Sequence, residues 1–336
     1  MNFVKQFRKY TTIKQPPYKI LFFGSDCFSL VTLKKLHNAY INGSLITKLE
    51  VMCLPHSKIR KSVVHEFATN HQIPIYYWGN FEFGGEFDLG VVVSFGKMMP
   101  QRIIDSFSLG MLNVHGSLLP QLRGSSPVSR AIQGGITSTG VSIFQIKSDG
   151  FDHGKILSYS SPVVIDDHVN SDELTQKLAY IGADLCLEVL WNFPERIANA
   201  KEQDRKLISY APKINVQETF INWESMTPET ILKNFRAFGY QKDYFLRCEY
   251  NGQMIKFLQL SSCTVEQTAF VSGNCPPGMV SYHKPSKTLL VKCCSGHVAC
   301  TKLLYGKILS SADFYNGFWQ KVKKQGKNVQ FLSNKY

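Results

Sequence analysis

Beyond Pro16-Pro17 the chain alternates compact apolar runs with amphipathic stretches, and this alternation constrains the fold more tightly than any other feature. Residues 18–24 (Tyr-Lys-Ile-Leu-Phe-Phe-Gly) are apolar on both faces and end at a glycine, which reads as a buried parallel strand. Phe28, Val31, Leu33 and Leu36 then supply the apolar face of a helix, and residues 45–54 the next strand. The alternation continues with a helix near 61–70, a strand over 88–94, a short helix after Pro100 and a strand over 110–114. Strands alternating with helices predict a doubly wound α/β sheet. Two extended runs, 140–147 and 155–165, are close enough to pair in that sheet, and residues 171–190 form a long helix that closes the domain.

A polar stretch over 201–213, with Pro212 near its end, reads as a linker, after which the pattern changes. Residues 228–238 have helical spacing. Short strand-like runs follow over 244–250, 254–260, 288–293 and 297–304, separated by Asn251-Gly252, Pro276-Pro277-Gly278 and Ser295-Gly296, and this spacing predicts a small barrel. A last helix near 311–323 precedes a lysine-rich tail. At 336 residues two domains are expected. The boundaries are drawn at 17–200 for the first domain, 201–217 for the linker and 218–336 for the second.

Charge is unevenly placed along these segments. Residues 20–213 carry 18 basic and 18 acidic side chains, whereas residues 214–336 carry 15 basic and 7 acidic ones. A cationic end on a neutral body suits a polyanionic partner, because clustered Lys and Arg gain affinity by releasing phosphate counterions. Residues 1–16 are basic, hydroxylated and free of acids, with Phe3, Phe7 and Tyr10 at helical spacing, which reads as a mitochondrial presequence and a matrix location. No apolar run reaches the roughly 18–20 residues needed to span a bilayer, so no membrane association is expected. The nine cysteines lack CxxC spacing, and no metal site is expected.

The densest chemical signal is Asn113-Val114-His115-Gly116-Ser117-Leu118-Leu119-Pro120, followed by Gln121-Leu122-Arg123-Gly124. On a strand, Asn113 and His115 point to one side and emerge at its carboxyl end, where open α/β sheets place their sites. An Asn amide can donate to a developing oxyanion, and a His can exchange protons near neutral pH. A second polar loop, residues 148–154, offers Asp149 and Asp152 between two apolar runs. Asn, His and Asp on loops leaving one sheet suit acyl transfer to an amine.

The string Asn113 to Gly124 resembles the signature of the folate-dependent formyltransferases, and Gly150-Phe151-Asp152-His153-Gly154 resembles that family's Gly-Leu-Asp-Thr-Gly loop. Further matches lie at residues 22–29, 91–100, 209–214, 221–223 and 235–239, and they are similar to the branch acting on methionyl-tRNA. The resemblance implies a Rossmann-like first domain and an OB-like second one, the latter a class of barrel that commonly binds nucleic acid. It implies 10-formyltetrahydrofolate as formyl donor, initiator methionyl-tRNA as acceptor and a monomeric enzyme. Asn113, His115 and Asp152 become the catalytic trio, with Asn113 donating to the oxyanion and Asp152 orienting His115. Whether His115 or Asp152 takes the amine proton stays open. Ser117, Leu118, Leu119 and Pro120 match the loop that lines the folate site. Lys213 matches the lysine of the family's Tyr-Ala-x-Lys stretch, and Lys58, Arg60 and Lys61 stand where bacterial members carry a basic tRNA-contacting loop; Lys321, Lys323, Lys324 and Lys327 near the last helix are candidates from charge location.

The sequence departs from the family pattern in three places. The loop at 54–61 is shorter than the basic loop of bacterial members, Gly24-Ser25-Asp26 replaces Gly-Thr-Pro, and His153 replaces Thr. Competing readings are a formyltransferase or formyl-folate hydrolase acting on a small molecule, and a non-catalytic tRNA-binding protein. The intact trio argues against the last. A dinucleotide-dependent oxidoreductase is disfavoured because residues 24–29 lack GxGxxG.

Overall fold

The computed structural model describes residues 13–55, 62–80, 82, 84–239, 244–271, 275–324, 326 and 328–333. Two compact units emerge. The first comprises residues 1–125, 140–162 and 176–210; the second comprises 126–139, 163–175 and 211–336.

In chain order the elements up to His115 are β1 (Tyr18–Gly24), α1 (Cys27–Asn42), β2 (Ile46–Cys53), α2 (Val63–Asn70), β3 (Ile75–Tyr77), β4 (Leu89–Val93), α3 (Gln101–Ile104) and β5 (Met111–His115). They are followed by α4 (Pro127–Gln133), β6 (Ser138–Thr139), β7 (Ser142–Gln145), β8 (Ile156–Tyr159), β9 (Val163–Val164), α5 (Ser171–Trp191) and α6 (Phe193–Ala198). The first unit holds a seven-stranded sheet in the order β3-β2-β1-β4-β5-β7-β8. Strands β1 to β5 pair in parallel, and β7 and β8 add antiparallel. This is the Rossmann-like, mostly parallel sheet that the alternation predicted. Among the elements that escaped the pattern, β3 is only three residues long and α4 hides behind a polar Ser-Ser-Pro start.

The apolar runs explain the arrangement. Tyr18, Ile20, Leu21, Phe22 and Phe23 are all fully buried, as a central parallel strand covered on both faces requires. Leu21 and Phe23 belong to a cluster with Phe95, Met99, Phe107 and Met111, so the chain leaving β4 is anchored in the core. Helix α1 starts at Asp26, whose side chain accepts from the Ser29 backbone N–H in a reciprocal capping box. The Asp that replaces the family's Pro is therefore a helix cap, and burial raises its carboxyl pKa above the ordinary value.

The second unit contains α7 (Pro228–Phe238), β10 (Arg247–Tyr250), β11 (Gln253–Ser262), α8 (Val265–Phe270), β12 (Val280–His283), β13 (Thr288–Lys292), β14 (His297–Tyr305), β15 (Lys307–Ser310), α9 (Ser311–Phe314) and α10 (Gln320–Lys323). Its sheet is antiparallel in the order β10-β11-β14-β13-β12, with β15 on β14. The tail expected after the last helix is instead structural. Residues 329–332 hydrogen-bond to both edges of the sheet: Val280 N–H donates to the Val329 carbonyl, and Glu249 and Leu332 exchange a pair of backbone bonds. The sheet is thereby closed into a barrel, which removes its edges. Gly278 makes the closure possible. At φ +79° its hypothetical Cβ would fall 2.1 Å from the Phe331 carbonyl oxygen.

Phe331 is 1% exposed and packs on the rings of Tyr250, Phe257 and Phe314. Phe331→Ala should destabilise the barrel by ~3–5 kcal/mol, the usual cost of deleting a buried ring. Denaturant unfolding of the full chain measures this, and an unchanged midpoint would remove residues 329–332 from the core.

Arg130 organises another part of the second unit. Its guanidinium donates to the carbonyls of Pro212 and Lys213, to Gln133 Oε1 and to both carboxylate oxygens of Glu218, so all five N–H groups are used. The Arg130 side chain in turn holds the Glu218 carboxyl below its ordinary pKa.

Candidate active site

Strand β5 places Asn113 and His115 at the carboxyl end of the sheet. Asn113 stands opposite Val92 of β4 and Phe144 of β7, and His115 opposite Ser142. The Asn113 side chain reaches a cleft whose apolar wall is formed by Val92, Met98, Met99, Phe144 and Ile146, with Lys97 and Lys147 also lining it. Asp152 lines the same cleft. His115 lies just behind and is 6% exposed. Its Nε2 is 3.0 Å from the Leu122 carbonyl oxygen. A carbonyl can only accept, so Nε2 donates this hydrogen bond and Nδ1 is the ring nitrogen left to meet Asp152. That Nδ1 faces Asp152 Oδ2 at 3.7 Å.

Asp152 is held in the left-handed region at φ +52°, a conformation that Asp and Asn tolerate better than most residues. Gly154 follows at φ +135°, where a Cβ would fall 1.8 Å from the Gln145 carbonyl oxygen. The Asp152 carboxylate accepts a charge-assisted hydrogen bond from the Gly124 backbone N–H at 2.6 Å. The two aspartates that loop composition left open, of which the family resemblance picks Asp152, are thus physically distinct. Asp149 is exposed and pairs with His153 at 3.6 Å, whereas Asp152 is nearly buried against His115.

Two further residues hold the loop. Gln203 donates from Nε2 to the carbonyls of Asp152 and Gly154, and its Oε1 accepts from Nε and Nη2 of Arg123. Arg123 is 5% exposed, and burial lowers its pKa from the ordinary guanidinium value. Arg123 was visible in the motif without an assigned role. Gln203 carried no signal, because it lies in a polar stretch that read as a linker. That stretch is docked on the first unit: Ile156 and Lys201 exchange backbone hydrogen bonds, and Arg123 N–H donates to the Ser209 carbonyl.

The four residues matched to the folate loop turn inward. Ser117 Oγ donates to the Gln121 carbonyl, and Leu119 N–H donates to Ser142 Oγ. Leu119 is buried on Phe144 and Ile156, Leu118 lies close to Gly140, and the Pro120 carbonyl accepts from Ser209 N–H. Ser117, Leu118, Leu119 and Pro120 are not among the residues that line the cleft; Leu119 backs its wall through Phe144. Among the tRNA candidates, Lys213 is exposed on a backbone fixed by Arg130, and Lys321 and Lys324 are exposed at α10. Lys58, Arg60, Lys61 and Lys327 lie outside the described residues, as does the side chain of Lys323 and most of the segment 1–16. Among the described residues no group of three or more His, Cys, Asp or Glu is placed to hold a metal ion, and no helix is long and apolar enough to cross a membrane.

The chain is similar to known proteins along most of its length. The formyl transferase family model matches residues 85–190, and the model of the formyl transferase C-terminal domain matches residues 213–319. Over 325 residues the chain is 36% identical to the human mitochondrial methionyl-tRNA formyltransferase, covering 94% of this chain and 82% of that one. It is 34% identical over 308 residues to the rat protein of the same name, covering 91% and 80%. Among solved structures, an N-formyltransferase from Helicobacter canadensis, complexed with folinic acid and dTDP-3-aminofucose, shares the fold at TM-score 0.59 and 18% identity, over 84% of this chain and 99% of that one.

Proposed function

The chain belongs to the methionyl-tRNA formyltransferase family, and from that membership we propose that it moves the formyl group of 10-formyltetrahydrofolate onto the α-amino group of initiator methionyl-tRNA in the mitochondrial matrix. The observation that carries the chemistry is the meeting of Asn113, Asp152 and His115 at one end of β5. Asn113 donates to the oxygen of the carbon under attack, where negative charge develops. As the amine nitrogen bonds to the formyl carbon its proton leaves to the Asp152–His115 pair, and a proton passes to N10 of the folate when the bond from N10 to the formyl carbon breaks. The amine proton enters at Asp152, the member that lines the cleft, with Nδ1 of His115 as the second station. Gly124 N–H keeps the carboxylate aimed while this happens.

The cleft suits a reduced folate. Met98, Met99, Phe144 and Ile146 offer an apolar wall for a flat ring system, and Lys97 and Lys147 supply positive charge for carboxylates. Within the loop from Ser117 to Pro120, Leu119 supports that wall from behind through Phe144. The second unit, with its excess of cations, takes the tRNA, and the enzyme acts as a monomer. The basic, acid-free residues 1–16 fit the compartment named for the human and rat relatives.

The test is incubation of the purified chain with 10-formyltetrahydrofolate and charged initiator methionyl-tRNA. N-formylmethionyl-tRNA should appear, with nothing formed on uncharged tRNA or on a nucleotide amino sugar. Formylation of the sugar in place of the tRNA would replace this reading by the small-molecule one.

Replacing Lys321, Lys323, Lys324 and Lys327 by Gln should weaken binding of all tRNAs alike. Each true phosphate contact removed should flatten the slope of log affinity against log salt by about 0.7–0.9. Turnover at saturating tRNA should hold. An unchanged slope would confine tRNA binding to the barrel and to Lys213.

A further inference from the structure

We propose that Gln203 is a positioning residue for Asp152, acting from a segment that carries no chemistry of its own. The inference rests on the reading of Asp152 as the cleft-side proton acceptor. Gln203 uses its whole amide. Nε2 donates to the carbonyls on either side of His153, at 2.9 Å to Asp152 and 3.0 Å to Gly154. Oε1 accepts from Arg123 Nη2 at 2.6 Å and Nε at 3.1 Å. Because Arg123 can only donate and the two carbonyls can only accept, the amide has one orientation that satisfies all four contacts.

The consequence is a frame around the carboxylate. Asp152 sits at φ +52° and Gly154 at φ +135°, backbone states that a free loop would seldom hold together. Gln203 fixes both peptide carbonyls, and Arg123, the residue next to Gly124, fixes Gln203. Gly124 in turn donates to Asp152 Oδ2. The backbone of the Asp152 loop and the carboxylate are therefore both referred to the same short stretch, Arg123-Gly124. Ser209 completes the tie, its Oγ accepting from Leu122 N–H and its carbonyl accepting from Arg123 N–H. Leu122 is also the residue whose carbonyl accepts from His115. The stretch 203–209 thus ties the loop of Asp152 to residues 122–124, which hold the His115 ring, so both sides of the 3.7 Å gap are referred to it.

Gln203→Glu is the sharp substitution. It preserves length and the oxygen facing Arg123, but it replaces the double donor with an oxygen pressed against two carbonyls. Turnover should fall about 10- to 100-fold, the scale expected when a catalytic group is displaced by roughly an ångström. KM for folate and tRNA should stay within about threefold, since Gln203 is not among the residues lining the cleft. Gln203→Met, which removes the donors without adding charge, should act in the same direction and covers the case in which the Glu variant fails to fold.

The decisive measurement is a double-mutant cycle with Asp152→Asn. If Gln203 works through Asp152, adding Gln203→Met to Asp152→Asn should cost no further turnover. An equal loss in both backgrounds, or normal turnover in both single Gln203 variants, overturns the proposal and leaves Gln203 a structural residue. Normal turnover in Asp152→Asn alone would instead overturn the reading of Asp152, and with it this inference, so the two failures are told apart.

Discussion

Replacing Asp152 with asparagine should lower kcat by roughly 10²–10⁴-fold, the contribution typical of a side chain positioned to take a proton from the reacting group. The substitution is close to a pure charge change. Asn accepts the left-handed backbone at φ +52° nearly as well as Asp, and its amide oxygen can still receive the Gly124 N–H. The fold should therefore stand, with a thermal midpoint close to that of the parent. What disappears is the negative charge opposite His115 Nδ1, and a neutral amide gives the departing amine proton nowhere to go. Asp149→Asn is the internal control. Asp149 is exposed and touches only the neighbouring His153 in the ion-pair geometry, so its loss should change turnover little. Equal damage from both substitutions, or greater damage from Asp149→Asn, would move the proton acceptor away from Asp152.

How far this arrangement could be read from the chain depends on how locally each part is encoded. The apolar run 18–24 and the helix face of Phe28, Leu33 and Leu36 encode their own burial, so the sheet was legible. Strand β3 was not, because three half-buried residues cannot show a period. Closure of the barrel was also invisible: Val329 and Phe331 alternate inward over too short a span, after a lysine-rich stretch that reads as solvated. At the site, Asn113 and His115 could be placed together because strand periodicity is local. The choice between Asp149 and Asp152 was closed to composition and spacing and was made only through the family resemblance, since physically it depends on which carboxylate meets Gly124, 28 positions earlier in the chain for Asp152. Gln203 lay furthest from view. Its role exists only through four contacts to residues distant in sequence, and no composition or spacing marks it.

Asn113→Ala should lower kcat by about 10²–10³-fold, equivalent to ~3–4 kcal/mol of lost transition-state stabilisation, with smaller changes in KM. Asn113 is only partly buried and reaches the cleft from the middle of the sheet, between β4 and β7, where strand pairing fixes its backbone. Among the described residues none hydrogen-bonds to its amide, so truncation leaves no partner unsatisfied and removes little packing. A loss of rate without a loss of stability is therefore the signature of an oxyanion donor. Asn113→Asp sharpens the test, because it keeps the shape of the side chain and reverses the electrostatics, placing a carboxylate where negative charge must develop. It should be at least as impaired as the alanine variant, although it can still fill the same space. If the Asp variant turns over faster than the Ala variant, Asn113 serves packing or substrate shape, and the donor to the oxyanion has to be sought elsewhere on the cleft wall.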